Sequence, residues 1–187
     1  ITHWTREAVM KVLGKGPAEL GLEVIYDVAH NIGKIEEHPS TKSLDEPQKM
    51  QKLMVHRKGA TRAFSSGHPV LPADYRFVGQ PVLIPGSMGT SSYVLIGTPQ
   101  AMKETWGSTC HGAGRMMSRT QSLKSVRGEE LARELKQQGI IVKSDSWKTL
   151  AEEAPSAYKD VNLVVDICHR AGISEKVVKL KPLGVIK

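Results

Sequence analysis

The chain has 187 residues, enough for one sizeable domain or part of a larger one, and it carries a formal net charge of +7 with a pI near 9.4. No apolar run approaches the roughly 20 residues that cross a bilayer and no signal-peptide pattern occurs, so the reading excludes a helical membrane protein and expects a soluble, cytoplasmic one. The basic balance favours a polyanionic partner held through its phosphates, since aromatic residues make up only 5% and argue against a base-stacking platform.

Trp4, Ala8 and Val12 recur at helical spacing, and Gly14 with Gly16-Pro17 ends a helix over 1–13. The helix begins abruptly, with no methionine, signal or disordered lead, which reads as a fragment or processed piece. Leu22, Val24, Tyr26 and Val28 alternate, predicting a strand over 22–28 with His30 just beyond its end. From Glu36 to Lys52 the composition turns polar, as in a surface loop or the tip of a long hairpin. Leu53 to His56 reads as a strand delivering Arg57-Lys58-Gly59 and then Arg62, a cluster that fits a solvated edge as well as a phosphate-binding face.

Gly79 to Ile84 and Ser91 to Ile96 are short apolar strands flanking P-G-S-M-G-T, so this turn sits at a sheet's end. Small residues and free amides there would make an anion- or nucleotide-binding concavity, though not a P-loop, because no G-K-[ST] follows. Thr98-Pro99 starts a helix that ends near Trp106-Gly107. After His111 a second helix is expected to carry Met116, Met117 and Leu123, the methionines in the core. It would place Arg115 and Arg119 on one face, where an anion must sit between them.

Gly128 to Gln138 is an amphipathic helix with Leu131 and Leu135 inward and Gly139 as terminator, followed by a strand over 140–143. Ser146 to Glu153 is a helix stopped by Pro155, and Asp160 to His169 another, with Val161, Val164, Val165 and Cys168 at helical spacing. Lys176 to Lys187 alternates like a strand that ties the end of the chain into the sheet. Cys110 and Cys168 are too few and too far apart in sequence for a disulfide framework or zinc site, and Cys168-His169 is given no chemistry. The whole reads as one α+β unit over 1–187, with mixed or antiparallel sheet layers and flanking helices.

Two stretches carry the chemistry. In G-S-T-C-H-G-A-G-R-M-M-S-R (Gly107 to Arg119) a lone imidazole, His111, is followed within four residues by two glycines and an arginine. Glycines let a ligand approach the backbone, and Arg115 and Arg119 offer planar forks suited to phosphate oxygens. A neutral imidazole can attack phosphorus and carry the phosphoryl or nucleotidyl group covalently. The second stretch is P-G-S-M-G-T-S-S (Pro85 to Ser92).

These stretches, with V-A-H-N-I (Val28 to Ile32), H-R-K-G-A-T-R-A-F (His56 to Phe64), A-E-E-A-P-x-A-Y-K (Ala151 to Lys159) and the final G-V-I-K, resemble the RNA-splicing ligase family RtcB, in an archaeal-like form. The likeness runs along nearly the whole chain but covers only the carboxyl-terminal portion of the family's usual length. It implies the RtcB-type fold and a GTP- and manganese-dependent ligase joining RNA 2′,3′-cyclic phosphate or 3′-phosphate ends to 5′-hydroxyl ends, as in tRNA splicing and RNA repair. His111 would carry the guanylate and His30 would be a metal ligand. His30, Asn31, Pro85, Gly86, Ser87, Met88, Ser92, Gly112, Ala113, Gly114, Tyr158 and Lys187 would frame GTP or GMP. Lys58, Arg62, Arg115 and Arg119 would meet RNA or triphosphate oxygens. The implied partners are tRNA halves or broken RNA, the amino-terminal portion that holds the remaining metal ligands, and an archease-type activator. Two other readings stay open: a non-catalytic nucleotide- or RNA-binding fragment, and a metal-dependent phosphoesterase.

Overall fold

The computed structural model describes residues 1–39 and 49–187. α1 (Thr2–Leu13) ends at Gly14, which takes the left-handed conformation that closes many helices. Its helical spacing is borne out, yet none of its residues is buried and Trp4, Val12 and Leu13 stand exposed. Residues 22–30 form no strand, against the expectation from their alternation. A strand needs a ladder partner for its amides and carbonyls, and none pairs with this segment among the described residues. Side chains hold it instead: Arg6 Nε donates to the Leu22 carbonyl at 2.8 Å and the Tyr75 hydroxyl donates to that of Ile25.

β1 (Asn31–Pro39) and β2 (Met50–Lys58) form a long antiparallel hairpin, with Asn31 opposite Lys58 and Pro39 opposite Met50. The expected hairpin is present, but its strands reach further into the polar stretch than a surface loop would. Residues 40–48 of that stretch lie outside the described residues. The cause is burial of polar groups: Glu36 and His38 face the interior, where Glu36 bonds both Arg57 and His38. Arg57 therefore belongs to the core and not to an open phosphate-binding edge.

β3 (Ala60–Arg62) leads out of the hairpin and, after the single-turn α2 (Ala73–Arg76), comes β4 (Pro81–Ile84). β5 (Ser92–Gly97) sits between β4 and β8 (Ser174–Leu180) in a three-stranded antiparallel sheet. Thr98 caps α3 (Pro99–Glu104) by accepting from the Ala101 amide at 3.1 Å, as its position before a proline predicts. β6 (Ser108–Cys110) pairs antiparallel with β3.

Three helices follow: α4 (Arg119–Ser125), α5 (Gly128–Gln137) and, after β7 (Ile141–Lys143), α6 (Trp147–Glu152). α7 (Val161–Arg170), capped by Asp160, precedes β8, and β9 (Gly184–Ile186) runs parallel to β7. The expected helix after His111 starts later than its composition suggests. Ser118 caps α4, which leaves Arg115, Met116 and Met117 outside the helix; Met116 is exposed rather than core. The element set is an α+β fold whose sheets are antiparallel except for the β7–β9 pair.

Two apolar cores form. One gathers Val82, Ile84, Tyr93 and Leu95 from the sheet with Ala113, Val161 and Val165. The other packs Leu131, Leu135, Ile140, Leu150 and Val185 around Met88. Fully burying such side chains stabilises the fold by about 1.5–3 kcal/mol each. The segment between β4 and β5 therefore leaves one core at Ile84, plants Met88 in the other and returns at Tyr93.

Candidate functional site

Strand register builds the site. Asn31 pairs with Lys58, the chain turns at Gly59, and Ala60 pairs with Cys110. His30 precedes the first of these residues and His111 follows the last, so the two ladders bring them to one place. Their rings stack, with centroids 3.8 Å apart and planes inclined by 30°. His30 is exposed and His111 half-buried. Burial, and then the charge of His30, hold the His111 imidazole below its usual range.

The second glycine-rich stretch lies against the first. A Cβ at Gly112 would stand 3.3 Å from the Pro85 carbonyl oxygen, so the backbones of residues 85 and 112 are in near contact. Within the loop, Ser92 Oγ accepts from the Gly86 amide at 3.1 Å and Thr90 Oγ1 accepts from the Ser87 amide at 2.8 Å. Two of the amides expected to be free for an anion, those of Gly86 and Ser87, are thus taken by the loop's own hydroxyls. A Cβ on Gly86 would lie 2.0 Å from the Ser91 carbonyl oxygen, which only a glycine can avoid. These bonds fold the loop back on itself between Gly86 and Ser92. Met88 contributes its side chain to the second core and only its backbone to the loop's surface.

Beyond His111, Ala113 is buried in the first core and Gly114 adopts φ 72° with open space where a Cβ would stand. The turn is stitched to residues 157–159: the Lys159 amide donates to the Gly114 carbonyl at 3.0 Å and the Met116 amide to that of Ala157 at 2.8 Å. Arg115 and Tyr158 face each other across an isolated antiparallel bridge, the guanidinium 4.8 Å over the phenol ring.

Arg115 Nη1 donates to Glu153 Oε2 at 3.1 Å and to the Tyr158 hydroxyl at 2.9 Å, Nη2 to the Glu152 carbonyl at 2.7 Å, and Nε to the Met117 carbonyl at 3.0 Å. Arg119 Nε donates to Glu153 Oε1 at 3.2 Å, and the Tyr158 hydroxyl donates to Glu153 Oε2. The anion required between the two arginines is therefore a carboxylate of the same chain. Burial pushes the Glu153 carboxyl up, but hydrogen bonds from Tyr158 and Arg119 and the charges of Arg115 and Lys187 outweigh it and hold it below the usual range. Lys187, fixed by its amide on the Lys143 carbonyl at 2.9 Å, thus directs its field at the same cluster.

Arg62 takes a different course, donating to Gln80 Oε1 at 3.1 Å, lying 4.8 Å over the Phe64 ring and lining a cavity of about 890 Å³ with Lys34, His68 and Trp106. Lys58 is exposed beside Asn31. The two cysteines, far apart in sequence, meet between β6 and α7. Their mutual interaction pushes the Cys110 thiol up and holds that of Cys168 down.

As to manganese, no group of three His, Cys, Asp or Glu able to hold a metal occurs among the described residues. The donor set of this chain does not by itself fit a closed metal site, His30 being the one ligand proposed from the sequence. Sequence reasoning missed Thr90, which closes the 85–92 loop, and Glu153. The two adjacent carboxylates before Ala154-Pro155 were the available signal for the latter.

The described residues contain no helix long and apolar enough to cross a membrane. The family profile described as tRNA-splicing ligase RtcB matches residues 1–187. A tRNA-splicing ligase RtcB of Archaeoglobus fulgidus is 56% identical over the whole of this chain, which covers 38% of that protein. Counterparts of the same description in Pyrococcus abyssi and Thermococcus kodakarensis are 54% and 52% identical, with 20% and 38% of their lengths covered. The chain thus spans between about a fifth and two fifths of these relatives. With its full length matched by the profile and its paired histidines and glycine segments gathered at one place, the chain belongs to the RtcB family.

Proposed function

We propose that this chain is the guanylate-accepting portion of a GTP-dependent RNA ligase, with His111 as the nucleotidyl carrier. The observation that carries the reading is the stack of His111 on His30, beside the contact of Gly112 with the Pro85 carbonyl. An imidazole nitrogen of His111 attacks the α-phosphorus of GTP; the new P–N bond forms as the bond to pyrophosphate breaks. Water opens an RNA 2′,3′-cyclic phosphate to a 3′-phosphate, whose oxygen then attacks the guanylate; a P–O–P bond forms as the P–N bond to His111 breaks. A 5′-hydroxyl attacks that activated end, a phosphodiester forms and GMP leaves. Toward manganese the chain would offer His30, and the other ligands would come from the amino-terminal portion.

Around these steps the chain's own groups position and exclude. The Pro85–Ser92 loop and the 112–114 turn shape the guanylate wall, Asn31 and Lys187 flank it, and Lys58 and Arg119 present charge to RNA phosphates. The relatives' description as tRNA-splicing ligases supports the RNA-joining assignment, and the basic balance of the chain agrees with it.

The test is incubation with GTP labelled at the α-phosphate, followed by denaturing electrophoresis, in the ligase carrying the amino-terminal portion its relatives possess. Acid-labile, alkali-resistant label on the protein is expected, and it disappears in His111→Ala and His111→Asn. Label at the wild-type rate in either variant overturns the assignment. Binding without covalent label would favour the binding-module reading, and phosphate release alone the phosphoesterase. The 187 residues alone are expected not to ligate, and adding the amino-terminal portion in trans to restore labelling.

A further inference from the structure

We infer that Glu153 is a positioning residue for nucleotide binding, acting through Tyr158 and Arg115, and that Arg115 serves this framework rather than a phosphate. The inference rests on the guanylate-site reading above.

Every guanidinium nitrogen of Arg115 already has a protein acceptor, and two of those acceptors, Glu153 Oε2 and the Tyr158 hydroxyl, also bond to each other. The three groups form a closed triangle, with Arg115 also lying on the Tyr158 ring. The triangle spans the seam where the turn after His111 is sewn to residues 157–159. A phenol has one freely rotating hydroxyl and one free ring torsion; fixing both sets where Tyr158 presents its edge. Glu153 does this with one carboxylate, because Arg115 orients it from one side and Arg119 from the other. Burial and the hydrogen bond to Glu153 push the Tyr158 hydroxyl up, so it stays protonated and keeps donating to Glu153.

The charges facing Glu153 are Arg115, Arg119 and Lys187. Arg119 and Lys187 are exposed, whereas Arg115 is largely enclosed. A phosphate approaching this face therefore meets Arg119 and Lys187 before it can reach Arg115. Removing Glu153 frees Arg115 from its orienting anion and releases the Tyr158 ring, without touching any atom that reacts.

The test uses the ligase with its amino-terminal portion, following covalent labelling by GTP against nucleotide concentration. Glu153→Ala is expected to raise the apparent KM for GTP roughly tenfold while changing the rate at saturation by less than about threefold, as for a lost positioning contact. Glu153→Gln, which keeps an acceptor oxygen for Tyr158, should recover part of the loss. Tyr158→Phe should raise KM in the parent and add little in the Glu153→Ala background, because the hydroxyl acts through that carboxylate. Arg119→Ala should lower the slope of log affinity for RNA against log salt by about one, and Arg115→Ala should leave that slope unchanged. Unchanged KM in Glu153→Ala, or additive effects with Tyr158→Phe, overturns the inference while His111-dependent labelling stands. Absence of label in the parent overturns both.

Discussion

Two glutamate–arginine clusters flank the His111 segment, and they differ in how much water they see. Before it, Glu36 accepts from both Arg57 Nη atoms at 2.7 and 2.8 Å and from the His38 ring at 3.0 Å, with side chains only 0–6% exposed. After it, Glu153 joins Arg115, Arg119 and Tyr158 with side chains 19–68% exposed. The pairing chemistry is alike, but burial decides the role. A fully desolvated fork cannot be opened without stranding a charge, whereas the half-open cluster can trade partners with solvent and ligand. The first is architecture and the second is adjustable.

The sharpest way to break this contrast is to remove Glu36. Glu36→Ala strands the Arg57 guanidinium and is expected to destabilise the chain by on the order of 3–5 kcal/mol, read from denaturant unfolding. A loss under about 1 kcal/mol would mean the two clusters are equivalent. Arg57→Lys comes next. It gives up the fork and the bonds to Ser108 Oγ and the Trp106 carbonyl, with an expected loss of about 1–3 kcal/mol.

Acid sharpens the comparison further. Burial raises the Glu36 carboxyl, yet hydrogen bonds and charge from Arg57 and His38 hold it below its ordinary value of 4.5. A carboxyl depressed in the folded state contributes stability that is fully present above its unfolded pKa and lost as pH falls through the folded one. Stability should therefore decline below about pH 4.5, and Glu36→Gln should flatten that decline in a pH series of unfolding midpoints. The smallest effect is expected for Arg119→Ala, whose exposed pair with Glu153 should contribute within about 1 kcal/mol; a larger thermal shift would mean that exposure does not separate the two clusters.

How much of this was legible in the sequence followed from the range of the forces involved. Capping at Thr98, the apolar spacing of Leu131 and Leu135 and the stop at Gly139 are local, and the structure agrees with them. Residues 22–28 failed as a strand because alternation describes one segment and a ladder needs two. Glu36 and His38 read as surface because polarity is visible in sequence, while the arginine that makes their burial tolerable stands some twenty residues later. At the site, the histidines and glycine segments were legible as words. The carboxylate between Arg115 and Arg119 was not, because helical spacing speaks only of neighbours in one segment and Glu153 reaches them from 38 and 34 residues away.

The Arg57 fork has a mechanical side. It grips the carbonyl of Trp106, a residue in the left-handed region at φ 49°, and the hydroxyl of Ser108, while Arg115 grips the carbonyl of Met117. The segment bearing His111 is thus a short string pinned near both ends, one pin sunk in the hairpin's interior and the other set in the half-open cluster. Loosening the open pin would free one end of the string while the buried pin still holds the other.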